Sequence, residues 1–152
     1  MGHGNDDFHI RVRWDVIGEE IIIHMLQEAA PDLCRLLVAS MPFVCLQAHA
    51  MTAGDLLIAQ APIRFHGGVN TKLLSKMSVG DCSFGAMSHV GLIYGKVTEP
   101  EIHSVWGRVD ESDRQTLVKV GNAVWENLMR PWRRVSGPVE RRGIFAEFSV
   151  MD

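Results

Sequence analysis

Apolar and polar residues alternate at the start of the chain. Phe8-His9-Ile10-Arg11-Val12-Arg13-Trp14 carries an apolar side chain at every second position, the mark of a strand with one buried face. Asp15 to Gly18 has turn chemistry, and the β-branched stretch Glu20 to Leu26 reads as the hairpin partner. The period then changes. Pro31 suits a first helical turn and Asp32 complements the helix dipole. Leu33, Leu36, Leu37 and Met41 share one helical face, and Pro42 ends the helix. Phe43 to Met51 is expected to be one strand, Thr52 to Asp55 a turn, and Leu56 to Ala59 the returning strand. Pro62 to Lys76 shows no period and contains Gly67-Gly68, so it reads as a long loop of the functional kind. Ser78 to Asp81 turns into a strand at Cys82 to Ala86, and further strands are expected at Gly91 to Val97 and Ser104 to Val109. Asp110 to Asp113 is rich in helix-starting residues, and Leu117, Val120, Val124 and Leu128 hold helical spacing towards Pro131. A last strand is expected at Ile144 to Val150.

About eight short strands, with one helix after the second and one near the end, predict a mainly β (α+β) fold: a closed antiparallel β-barrel with two flanking helices. There is no repeat or linker, so residues 1–152 are read as a single domain, with Met1 to Asp7 disordered. The length of 152 residues is enough to bury a real core. A net charge of -3 lacks the basic excess of a nucleic-acid binder, so no such partner is expected. The local basic run Arg130, Arg133, Arg134, Arg141 and Arg142 reads as a solvated surface before an anion site. No apolar stretch approaches the ~20 residues needed to span a bilayer, so no membrane partner is expected. The acidic start of the chain is unlike a signal peptide. Cys34, Cys45 and Cys82 are an odd set among apolar neighbours without Cys-x-x-Cys spacing. Buried thiols in a reducing, cytoplasmic compartment follow, with neither a disulfide framework nor a structural zinc.

Candidate chemistry is scattered. Seven histidines show no His-x-His or His-Glu-x-x-His spacing, so no metal is expected. His49 stands in an apolar strand beside a turn carrying Thr52 and Asp55, where an acid or base could be held; a barrel-wall histidine bonded to a carbonyl is the alternative. Alternation puts it on the side of Phe43, Cys45 and Gln47. His66 lies in the Gly-containing loop, which could close over a barrel mouth near His49, or is simply solvated. His89 follows Ser88 at an expected hairpin turn. Tyr94, the single tyrosine, stands between Gly91 and Gly95, where a ligand or another backbone could approach. Glu99, Glu101 and His103 flank Pro100, either as a carboxylate–imidazole pair or as a polar loop. No Gly-x-Ser-x-Gly, P-loop or dinucleotide fingerprint occurs, and no cofactor is implied.

The element order, the helix opening at Ala30-Pro31-Asp32-Leu33, the stretch Gln47-Ala48-His49-Ala50-Met51-Thr52-Ala53-Gly54-Asp55, and Gly80-Asp81-Cys82-Ser83-Phe84 leading into Gly91-Leu92-Ile93-Tyr94-Gly95 together carry a resemblance. Over residues 8 to 135 the chain resembles the cyclophilin-like barrel family of small bacterial proteins, which is similar to the catalytic domain of the opine-forming cucumopine and mikimopine synthases. The Phe-His-Arg and Gln-Gly-Gly-Asp segments of prolyl isomerases are missing around Arg64 to Gly68, so that activity is not expected. The resemblance implies a small-molecule enzyme using metal-free acid/base chemistry on a nitrogen-containing or carboxylated metabolite. His49 and Glu101 would share acid and base duties and Tyr94 would orient the substrate, with Gln47, Thr52, His66 and His89 as ligand-binding residues. A non-catalytic ligand-binding or scaffolding domain is the alternative, and a homodimer is expected because small barrels have edges to cover.

Overall fold

The computed structural model describes residues 8–129 and 143–152. The N-terminal segment Met1 to Asp7 and the basic run from Arg130 to Arg142 lie outside the described residues. Ten strands form one antiparallel sheet: β1 (His9–Trp14), β2 (Glu19–Met25), β3 (Phe43–Leu46), β4 (Ala48–His49), β5 (Gly54–Gln60), β6 (Thr71–Leu73), β7 (Asp81–Phe84), β8 (His89–Val97), β9 (Ile102–Val109) and β10 (Phe145–Val150). Two helices join them, α1 (Pro31–Ser40) and α2 (Arg114–Met129). The strand order β3-β10-β1-β2-β9-β7-β8-β5-β4 begins and ends on two strands consecutive in sequence, so the sheet curls into a nearly closed cyclophilin-like barrel.

The expected strand Phe43 to Met51 is therefore two strands. β3 pairs with β10 and β4 pairs with β5, and Gln47 alone carries the chain across the seam. Its backbone N–H donates to the Ile144 carbonyl at 2.7 Å. Its side-chain amide donates to the carbonyls of Ala48 and Ile58, both at 3.0 Å, and accepts the Trp14 indole N–H at 2.9 Å. Alternation survives the break, since Phe43, Gln47 and His49 all point inward. The sequence pattern therefore concealed it.

The barrel interior is filled from every side by Ile10, Val12, Trp14, Ile21, Ile23, Leu57, Leu92, Trp106 and Phe148. Onto this core α1 lays Leu33, Cys34 and Leu37, with Leu36 turned outward contrary to the expected face. α2 adds Leu117, Val120 and Val124. Asp110 caps a short 3-10 turn ahead of α2 by accepting the Ser112 N–H.

A smaller apolar cluster lies on the outer face of the same strands: Ala50, Leu56, Leu74, Met77, Ile93, Val97 and Val105. Period 2 explains the split, because Leu56, Ile93 and Val105 point outward where their neighbours Leu57, Leu92 and Trp106 point inward. The cover for this face comes from Pro62 to Lys76, which is not the structureless loop expected. Thr71–Leu73 pairs with β9, and a 3-10 turn at Leu74–Lys76 follows. A three-residue strand is too short to print a period. Ile63, Phe65 and Val69 pack against the interior core, so this stretch is anchored.

Candidate functional site

On the outer face, four strands bring one row of residues into register: Ile58 opposite Gly91, Gly91 opposite Ser83, and Ser83 opposite Val105. Ile58, Gly91 and Ser83 of this row line a cleft of about 380 Å3. The turn Ala50 to Ala53 contributes to its lining on one side, and Leu74, Glu99, Glu101 and His103 do so on another, with His89 from the start of β8. A Cβ at Gly91 would stand 2.9 Å from Leu56 Cδ1 and closer still to the Ser83 hydroxyl, so a side chain there would displace both.

His103 projects outward from β9 and links two polar groups. Its Nε2 lies 3.1 Å from Glu101 Oε2 and its Nδ1 lies 3.4 Å from Ser83 Oγ. A carboxylate only accepts, so Nε2 carries the proton it donates to Glu101, and Nδ1 faces the Ser83 hydroxyl. The imidazole is nearly buried, at 11% exposure, whereas the Glu101 side chain is 67% exposed. Gly85 packs on the far side of the ring, where a Cβ would stand 2.5 Å from it. The ring is thus fixed and the carboxylate reaches the open cleft. The acidic segment is itself held in place: the carbonyls of Glu99 and Glu101 accept the Ser75 and Leu74 N–H groups at 3.0 and 2.7 Å. Among the described residues, the lining carries two carboxylates, two imidazoles and two hydroxyls and has no lysine or arginine.

Of the residues singled out in the sequence, Thr52, His89, Glu99, Glu101 and His103 meet in this cleft. Ser83 completes its polar set. The grouping of Glu99, Glu101 and His103 around Pro100 was the signal for the acidic side of the site. Ser83 had none, because its place depends on a register shift between Cys82 and Ser83.

Glu101 takes His103 as its imidazole partner, and His49 lies elsewhere. His49 and Tyr94 face the barrel interior, where Tyr94 Oη lies 2.6 Å from His49 Nε2. His49 Nδ1 lies 2.6 Å from the Ala50 carbonyl, which only accepts, so Nδ1 bears the proton and Nε2 receives the phenol O–H. Trp125 of α2 lies over the imidazole with ring centroids 4.8 Å apart. Burial, with a smaller contribution from Asp55, pushes the Tyr94 phenol up to about 12. Gln47 spends its amide on the seam. His66 lines a separate cleft of about 390 Å3 with Phe65, Gly67, Gly68, Phe84 and Ile102, so the segment from Ile63 to Lys76 does not close over His49. Among the described residues, no three His, Cys, Asp or Glu side chains are grouped to hold a metal ion. No helix among them is long and apolar enough to cross a membrane.

No protein-family model and no curated protein matches the chain. Among solved structures the chain is similar to McbB in complex with tryptophan, with a TM-score of 0.81 and 21% identity over 92% of this chain and 44% of McbB. It thus spans less than half of that protein's length. It is also similar to the hypothetical protein AF2241 from Archaeoglobus fulgidus, with a TM-score of 0.60 and 14% identity over 98% of each chain. These likenesses establish a related barrel fold.

Proposed function

We propose that this barrel binds a small nitrogen-containing metabolite in the cleft of Glu101 and His103 and acts on it by proton transfer. The observation that carries the reading is the exposed Glu101 carboxylate, oriented by a nearly buried imidazole, in a cleft that no lysine or arginine among the described residues lines. Such a lining attracts an ammonium or N–H-rich ligand and offers a carboxylate ligand no partner cation, which favours the nitrogen-containing class over the carboxylated one. Glu101 is the base, His103 is its positioning residue, and Thr52 and His89 supply further hydrogen bonds. A carboxylate so held can take a proton from an ammonium or an adjacent carbon and return it later. An opine-type condensation makes that demand on the amine partner, whose nitrogen loses protons as it adds to a carbonyl carbon and the carbonyl oxygen leaves as water.

The tryptophan bound to McbB supplies a natural probe series: L-tryptophan, tryptamine without the carboxylate, and indole-3-propionate without the amine. The first two should bind and the third should not. Glu101→Gln should weaken tryptamine by about tenfold or more, the value of one charge pair at 1.4 kcal/mol. Equal affinity for tryptamine and indole-3-propionate would refute the reading. The proposal includes a cytoplasmic homodimer, supported by the exposed apolar side chains Val44, Leu46 and Phe145 on the paired strands β3 and β10.

A further inference from the structure

Two buried polar side chains behind the cleft have no part in the acid/base pair. Tyr94 stands on β8 with its ring against α2, where a Cβ on Gly121 would come within 2.5 Å of three ring atoms. Its hydroxyl donates to His49 Nε2, and His49 Nδ1–H donates to the carbonyl of Ala50. Ala50 is the first residue of the stretch Ala50 to Ala53, which lines the cleft. The same stretch is tied at its ends by the Ala50 N–H to the Leu56 carbonyl and the Thr98 N–H to the Ala53 carbonyl, at 2.9 and 2.8 Å. Between those ties Met51 and Thr52 are exposed, so the orientation of the peptide after Ala50 rests on the histidine contact.

We infer that Tyr94 and His49 are positioning residues for the cleft: a two-bond relay from the interior sets the peptide that begins the Ala50–Ala53 wall. The relay passes from α2 through the barrel wall to its outer face. His49 is locked by Trp125 and Tyr94 on one side, so the Ala50 carbonyl is held in one direction and Thr52 is presented to the ligand consistently. The fixed tautomer matters here. An imidazole with its proton on Nε2 would set a lone pair against the Ala50 oxygen, and the phenol donor to Nε2 excludes that form. The inference rests on the proposed cleft function only for its effect on ligand affinity.

The test compares Tyr94→Phe, His49→Leu and His49→Asn with the native chain. Amide exchange is read at Ala50 and Thr98, the two bonds that close the turn, and tryptamine affinity is read in parallel. Tyr94→Phe keeps a ring on Gly121, and His49→Asn keeps a donor where Nδ1 stood. Exchange at Ala50 and Thr98 should rise about tenfold in Tyr94→Phe and His49→Leu while β1 and β10 amides change about twofold or less, and Asn should restore most of the protection. Acceleration spread evenly over the barrel, or none at Ala50, would overturn the inference. If tryptamine fails to bind the native chain, the cleft proposal falls, and the exchange pattern still decides the relay.

Discussion

Glu101 and His103 illustrate how far a residue's surroundings decide its role. Both are ordinary in sequence, yet one is held open to the cleft and the other is packed between Gly85 and Ser83. Because the Glu101 side chain is largely exposed, Glu101→Gln should change thermal stability little, by under about 1 kcal/mol, while weakening tryptamine binding about tenfold or more; calorimetric melting checks the first part. Tyr94 offers a second residue-scale measurement. Its folded pKa is raised from 10.0 to about 12, so its contribution to stability is complete below pH 10 and is lost as pH rises towards 12. The single phenol should therefore ionise in the native protein only near pH 12 by ultraviolet absorbance, and a titration near 10 would mean that the pocket is open. Cys34 and Cys45 behave alike, raised by burial from 9.0 to about 11, so an aromatic disulfide reagent at pH 8 should react slowly until the protein is unfolded.

Most elements were legible because their periods are long enough to count. β1, β2, β8, β9 and both helices lie within a few residues of where alternation and capping put them. The misses share one cause, which is that pairing partners are not written locally. β6 is three residues long, and the break between β3 and β4 leaves the inward side of Gln47 unchanged. The polar site was half legible for the same reason: Thr52, His89 and Glu101 were visible singly, and only the register of β5, β8, β7 and β9 makes them neighbours. The seam predicts its own energetics. Gln47→Leu should destabilise by about 1–3 kcal/mol in denaturant unfolding, because the Trp14 N–H and the Ile58 carbonyl lose their buried partner. Gly121→Ala should cost a similar amount, about 1–3 kcal/mol, by driving a methyl group into the Tyr94 ring that seats α2.

As a whole, the molecule is a barrel with an apolar interior and a second, partly covered outer face, and the proposed site lies on the outer one. In the inferred relay the interior residues His49 and Tyr94 act on that cleft from behind. It also leaves β3 and β10 with an exposed apolar strip, on which the homodimer reading depends; Leu46→Glu should shift the sedimenting species to the monomer if copies pair there. The central claim, a nitrogen-binding cleft built on Glu101 and His103, is tested most directly by following the imidazole signals of the seven histidines during a tryptamine titration. The account predicts that His89 and His103 shift together, that His24 on β2 stays still, and that Glu101→Gln moves the midpoint to about ten times more tryptamine or beyond. Shifts confined to other histidines, or an unchanged midpoint at His103 in Glu101→Gln, would contradict it.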